Sequence, residues 1–198
     1  FILRIMIHKP CLTILFLSVL PIVTAQEKNI TLEDIWNGSF KTERMEVLHS
    51  MNNGQQYSVL NFNRITRSTS VDLYDYKTQS KVQSLVDSKD LEPIAYFTNY
   101  SFSDDESKIL LASEVESIYR RSTLGLFFVY DLALKKLQKI SDYKIQEPTF
   151  SPDGSKVAYG FKNNLYVKDL DTGQTKQITF DGEKNKIING ITDWVYEE

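Results

Sequence analysis

Two short stretches carry side chains that could do chemistry. The first is Asp193-Trp194-Val195-Tyr196-Glu197-Glu198, where two adjacent carboxylates follow a run rich in aromatic residues. Neighbours on an extended strand face opposite ways, so both carboxylates reach one ligand only if the chain kinks or turns there. Crowded carboxylates repel and raise the pKa of at least one, and a cation relieves that repulsion. Glu197 and Glu198 therefore suit Ca²⁺, an Arg or Lys side chain, or a free peptide amine; a solvated acidic pair on a surface turn is the plain alternative. The second stretch is Tyr119-Arg120-Arg121-Ser122. A guanidinium presents a fixed fork of donors that matches carbonyl and carboxylate oxygens. If this stretch is extended, Arg120 and Arg121 point opposite ways and only one faces a site. A surface ion pair is the alternative there.

Other chemistries are narrowed by composition. The single cysteine, Cys11, lies near the N-terminus, so the rest of the chain can hold neither a disulfide nor a thiolate metal site. His49 is the one histidine beyond the leader, and no serine–carboxylate arrangement surrounds it in sequence, so it reads as structural or surface. No Gly-x-Ser-x-Gly elbow, phosphate loop or EF-hand loop is present. No catalytic residue, cofactor or metal is therefore assigned within these 198 residues.

The elements that must position the two stretches are short strands. Tyr100-Ser101-Phe102-Ser103-Asp104-Asp105-Glu106-Ser107-Lys108-Ile109 and Pro148-Thr149-Phe150-Ser151-Pro152-Asp153-Gly154-Ser155-Lys156-Val157 share the pattern Phe-Ser-x-Asp-x-Ser-Lys followed by an apolar strand, at an offset of 48 residues. In the second copy Pro152 presets the turn, Asp153 caps it locally, and Gly154 takes φ > 0. Each copy leads into an outer hairpin: Phe128 to Leu132 with Leu137 to Ile140, and Leu165 to Leu170 with Lys176 to Thr179, the latter turning at Asp171-Thr172-Gly173. Leu73 to Tyr76 with Lys81 to Leu85 is a weaker copy, preceded by strands flanking the Asn52-Asn53-Gly54 turn. Repeats of 40–50 residues with about four strands each are the mark of β-propeller blades.

The expected fold is therefore all-β: an incomplete propeller of about three blades and the start of a fourth, after one short helical turn at Thr31 to Trp36. Phe102 to Phe128 spans 26 residues where Phe150 to Leu165 spans 15, so the middle blade carries an insertion around Arg120 and Arg121, expected as a loop. The abrupt acidic ending and the unclosed repeat read as the front piece of a longer protein.

The N-terminus has its own logic. Arg4 and Lys9 precede the apolar run from Cys11 to Val23, and Val23-Thr24-Ala25 places small residues around a cleavage site. Residues 1–25 are expected to be a signal peptide, with Met6 the better start and Phe1 to Ile5 upstream sequence. The run is short for a membrane span. Export to the periplasm or exterior follows, an uncleaved membrane anchor being the alternative. Without the leader's two charges the balance is 21 basic to 26 acidic side chains, which argues against nucleic acid as a partner.

From Ile30-Thr31-Leu32-Glu33-Asp34-Ile35, through Tyr119-Arg120-Arg121-Ser122 and Val129-Tyr130-Asp131-Leu132, to Asn189-Gly190-Ile191-Thr192-Asp193-Trp194-Val195-Tyr196-Glu197-Glu198, residues 26–198 resemble the dipeptidyl peptidase IV family of serine exopeptidases. The final stretch is the distinctive one. The resemblance implies an N-terminal propeller in a protein whose α/β-hydrolase domain, with its Ser-Asp-His triad, lies outside these residues. It implies a hydrolase that releases Xaa-Pro or Xaa-Ala dipeptides from peptides with a free N-terminus, and a homodimer of the full-length protein. By resemblance Glu198 is the first of two glutamates that hold the substrate amine, Glu197 a supporting position, and Arg120 the residue that binds a substrate carbonyl. Arg121 departs from the family's commoner residue and inherits no role. The 198 residues alone are expected not to turn over substrate. A non-enzymatic periplasmic propeller that binds protein partners is the competing reading. A relative from the wider prolyl oligopeptidase group, such as an acylaminoacyl peptidase, is a third.

Overall fold

The computed structural model describes residues 29–41, 46–192 and 195. The expected signal peptide and the terminal glutamates Glu197 and Glu198 lie outside the described residues. The chain divides into two compact units, residues 1–44 and 45–198. Within the first, α1 (Leu32–Trp36) is a single capped turn. Thr31 Oγ1 accepts from the Asp34 N–H at 3.1 Å, and Asp34 Oδ2 accepts from the Thr31 N–H at 3.2 Å. This reciprocal capping box satisfies two donors that the start of a helix otherwise leaves open.

The second unit is built of antiparallel strands. β1 (Leu48–Ser50), β2 (Gln56–Asn63), β3 (Ser68–Asp75) and β4 (Lys81–Asp87) form the first sheet. β5 (Asn99–Phe102), β6 (Lys108–Ser117), β7 (Thr123–Asp131) and β8 (Lys136–Lys139) form the second. β9 (Gln146–Phe150), β10 (Lys156–Phe161), β11 (Asn164–Asp169) and β12 (Thr175–Gln177) form the third. Each sheet is a four-stranded meander with spatial order equal to chain order, which is the form of a propeller blade. The all-β, incomplete-propeller expectation is thereby met. After β12 the described residues carry an isolated Glu183–Ile187 bridge.

Stacking of the blades explains why Ile109 to Ala112 of β6 form an unbroken apolar run. Ile109 and Leu111 enter one core with Val71, Val86 and Phe97. Leu110 and Ala112 enter the other with Val157, Tyr159 and Ile145. β7 divides the same way, Phe128 and Tyr130 to the first core and Phe127 and Val129 to the second. Successive side chains on a strand face opposite sides. Blade 2 lies between blades 1 and 3, so both of its sides are apolar. Each fully buried Leu, Ile or Phe contributes roughly 1.5–3 kcal/mol.

The Phe-Ser-x-Asp-x-Ser-Lys turns share one hydrogen-bond pattern. Ser103 Oγ donates to Asp105 Oδ1 at 2.6 Å, the Ser107 N–H donates to the same oxygen at 3.1 Å, and the Lys108 N–H donates to Ser103 Oγ at 3.0 Å. In the copy, Ser151 Oγ donates to Asp153 Oδ1, the Ser155 N–H to Asp153 Oδ1, and the Lys156 N–H to Ser151 Oγ, at 2.5, 3.1 and 2.9 Å. Gly154 takes φ +65°, as expected. Its counterpart Glu106 sits at φ +57° despite its side chain. The strained backbone is tied to blade 1, because Glu106 Oε1 accepts from the Asn52 N–H at 2.6 Å and Asn52 Nδ2 donates to the Asp104 carbonyl at 2.8 Å.

These turns link stability to acid. The bonds from the Ser103 and Ser107 side chains and the Ser107 N–H lower the Asp105 pKa to about 2, and Asp153 is lowered in the same way by Ser151 and Ser155. An unfolded aspartate titrates near 3.9. A carboxyl depressed in the fold stabilises it fully above the unfolded pKa, and the contribution fades as pH falls toward the folded one. In the full-length protein, Asp105→Asn is expected to flatten the fall of melting temperature between about pH 4 and about pH 2. An acid limb with the wild-type slope contradicts this account of the turn.

Candidate functional site

The insertion in blade 2 goes mainly into longer strands. It was expected as a loop, but β6 has 10 residues where β10 has 6, and β7 has 9 where β11 has 6. Ser117 still pairs with Thr123, so only residues 118–122 turn, closed by a 2.9 Å bond from the Ile118 N–H to the Ser122 carbonyl. Pairing is the cheaper solution, because each added strand residue finds a partner for its backbone groups. The result is a hairpin arm with Tyr119, Arg120 and Arg121 at its tip.

The arm is braced at its base. The register shifts between Ser113 and Glu116, and Glu114 there takes φ +48°. Opposite this bulge Gly125 exchanges two backbone bonds with Ile145, at 3.1 and 2.9 Å, which join blade 2 to the segment entering blade 3. A Cβ at Gly125 would stand 3.1 Å from Val115 Cγ2 and 3.2 Å from the Ser113 carbonyl, so any side chain there would press its neighbours back by a few tenths of an ångström. Lys144 Nζ adds an ion pair to Glu116 at 2.5 Å. A glycine inside the apolar run Leu124-Gly125-Leu126-Phe127 is the sequence sign of such an approach.

Below the arm lies a cavity of about 470 Å³. Asn99, Tyr100, Val115, Arg121, Phe127 and Glu147 line it. Of the two arginines, Arg121 is on the wall and Arg120 is not among the lining residues. Residues 118–121 form a bend, so the opposite-facing geometry of an extended strand does not govern this pair. The sequence reading did not single out Glu147, Asn99 or Tyr100. Glu147 takes φ +47° at a bulge in β9, where Ala158 and Gly160 of β10 pair with Thr149 and Gln146. Nothing in the local sequence announces that conformation. Tyr100 is held by a 2.9 Å hydrogen bond between its hydroxyl and Ser58 Oγ. Burial raises its pKa, and the Ser58 bond lowers it only in part.

His49 sits exposed on β1 with its ring tilted against Phe102 at 5.2 Å, and it lines a separate cavity with Glu46.

The segment leading to Glu197 and Glu198 is clamped to blade 3. Lys162 and Asn163, at φ +49° and +61°, make the two-residue turn between β10 and β11. Asn164 Oδ1 then accepts from Thr179 Oγ1 at 3.1 Å and from the Gly182 N–H at 3.0 Å. The Asn163 carbonyl accepts from the Asn189 N–H at 3.0 Å, and Asn189 Nδ2 donates to Asp181 Oδ1 at 3.0 Å. A Cβ at Gly182 would fall 2.3 Å from the Asn163 carbonyl oxygen, and one at Gly190 would fall 2.9 Å from Leu165 Cδ1. The chain therefore approaches blade 3 closely up to Ile191, whose Cγ2 lies 3.0 Å from where a Gly160 Cβ would be.

Comparison with known proteins agrees with this geometry. Residues 103–198 match the family model described as the dipeptidyl peptidase IV (DPP IV) N-terminal region. Prolyl endopeptidase FAP of Homo sapiens is 32% identical over 171 residues, 85% of this chain and 21% of that protein. Dipeptidyl peptidase 4 of Felis catus is 43% identical over 104 residues, 50% of this chain and 13% of that protein. The crystal structure of Porphyromonas gingivalis dipeptidyl peptidase 4 superimposes with a TM-score of 0.75 at 34% identity, covering 87% of this chain and 25% of that one. The chain thus spans about a fifth of the length of the human relative. With its four-stranded blades and these matches, the chain belongs to the dipeptidyl peptidase IV family and corresponds to part of that family's N-terminal region.

Proposed function

We propose that the chain is the substrate-recognising propeller part of a serine dipeptidyl peptidase that releases Xaa-Pro or Xaa-Ala dipeptides from peptides with a free N-terminus. The observation that carries this reading is the family match over residues 103–198, which includes both the arginine-bearing arm and the stretch ending in Glu197-Glu198. A peptide α-amine has a pKa near 8 and is mostly cationic at neutral pH. In this reading Glu198 pairs with that amine, Glu197 supports it, and Arg120 binds a substrate carbonyl. An amine anchor at a fixed distance from a nucleophile measures residues from the free end, so binding geometry makes an exopeptidase of a hydrolase. Bond cleavage belongs to the α/β-hydrolase domain of the full-length protein. Export by a signal peptide at residues 1–25 and a homodimer of the full-length protein belong to the same reading.

The decisive experiment uses the full-length protein that contains this chain. Gly-Pro-p-nitroanilide is expected to be turned over, and the same anilide bearing an acetylated amine is not. Equal turnover of the two overturns the amine anchor. Absence of turnover on Xaa-Pro and Xaa-Ala anilides overturns the dipeptidase reading and favours a propeller that binds protein partners.

A further inference from the structure

Thr98, Asn99 and Tyr100 wall two cavities at once. One, of about 470 Å³, also holds Arg121 and Glu147. The other, of about 390 Å³, also holds Glu46 and His49. The start of β5 is therefore a ridge with a hollow on either side. Each hollow is within the size range of a pocket for a small ligand. The two together exceed what a dipeptide fills.

The crest of the ridge is a fixed hydrogen-bond donor. Asn99 is exposed, and its Oδ1 accepts from the Tyr100 N–H at 2.8 Å. That bond sets the plane of the amide and turns Nδ2 away from the backbone. Nδ2 has two N–H donors. Neither meets an acceptor among the described residues. Tyr100, which anchors the arrangement, is itself held by Ser58 and by an edge-on contact with Phe102 at 5.7 Å. The flanking groups are mixed in sign: Arg121 and Glu147 on one side, His49 and Glu46 on the other. A trough of mixed charge does not select one side-chain type, whereas a fixed amide donor suits the carbonyl that every peptide residue presents.

We propose that Asn99 is a backbone anchor for peptide substrates longer than a dipeptide, which lie across the ridge from one hollow into the other. This rests on the dipeptidase reading above and extends it to the part of the substrate beyond the scissile bond. Asn99 is a specificity-determining residue that sets how well long peptides compete with short ones.

The test compares two substrates of the full-length protein: Gly-Pro-p-nitroanilide and a decapeptide beginning with Gly-Pro. Asn99→Asp keeps the acceptor for the Tyr100 N–H but removes both donors. Asn99→Ala removes them without adding charge. For both variants the ratio of kcat/KM on the decapeptide to kcat/KM on the anilide is expected to fall about three- to tenfold, as for loss of one hydrogen bond, with the change in KM. A ratio equal to that of the wild type in both variants overturns the anchor while leaving the dipeptidase reading intact. A wild-type protein that turns over neither substrate overturns the dipeptidase reading and the anchor with it.

Discussion

Glu198→Gln in the full-length protein is expected to lower kcat/KM on Gly-Pro-p-nitroanilide about ten- to a hundredfold, with an unchanged melting temperature. Glutamine keeps the size and one acceptor of the side chain but loses the charge that pairs with the substrate amine. A hydrogen bond to a charged group contributes roughly 1.5–3 kcal/mol, and each 1.4 kcal/mol is about a factor of ten. The loss is expected to shrink above about pH 8, where the amine of the substrate is itself neutral. Arg120→Lys and Arg121→Lys belong in the same series, because an ammonium lacks the guanidinium fork. The proposed assignment expects the larger loss at Arg120. If Arg121→Lys is the more damaging, the cavity wall rather than the family resemblance identifies the arginine that meets substrate, since Arg121 lines the cavity. Near-wild-type turnover by Glu198→Gln overturns the amine anchor outright.

Leu111→Ala is expected to cost about 2–5 kcal/mol of stability, the range for removing a buried leucine without full collapse of the cavity. Leu111 is 0% exposed and packs in the core shared by blades 1 and 2. Leu134→Ala is the control: Leu134 is 74% exposed at the β7–β8 turn, and its loss is expected to stay within about 0.5 kcal/mol. Denaturant midpoints of the full-length variants make the measurement. Similar midpoints for the two would mean that the blade 1–blade 2 core contributes little to holding the propeller together. The arm rises from the same β6 and β7, so a destabilised Leu111→Ala protein should also bind substrate less well.

Much of the fold was legible because a propeller repeats its local chemistry. The Ser-x-Asp-x-Ser turns were read from sequence, and their hydrogen bonds are those the residue types require. A second repeat went unread. Asp75, Asp131 and Asp169 each cap an outer hairpin turn, and four residues on, Gln79, Lys135 and Gly173 take positive φ. Only the third copy has the glycine that makes such a position visible, so the turn was placed at Asp171-Thr172-Gly173 without its capping aspartate. The blade 2 insertion was found by counting residues. Length alone does not distinguish a loop from a longer hairpin, and the pairing of Ser117 with Thr123 settled that.

Features that depend on neighbours along the chain were legible directly: the strands, their turns, the capped α1 and the blade period. Those features follow from backbone preferences and local hydrogen bonds, which act over a few residues. The tertiary structure was needed for whatever depends on residues brought together from different strands of one blade or from different blades. Asp72 looks like an ordinary outward polar residue in the alternating Val71-Asp72-Leu73, yet it is 4% exposed. Burial pushes its carboxyl up, but hydrogen bonds from Lys81, Ser84 and Asn61 outweigh that and hold it below the usual range. Arg121 and Glu147 share one cavity across 26 residues of chain, and Asn99 stands between that cavity and the one holding His49. No periodicity encodes these meetings, because they are fixed by the register of neighbouring strands around Asp72, by how one blade stacks on the next, and by bulges whose positive φ falls on ordinary glutamates.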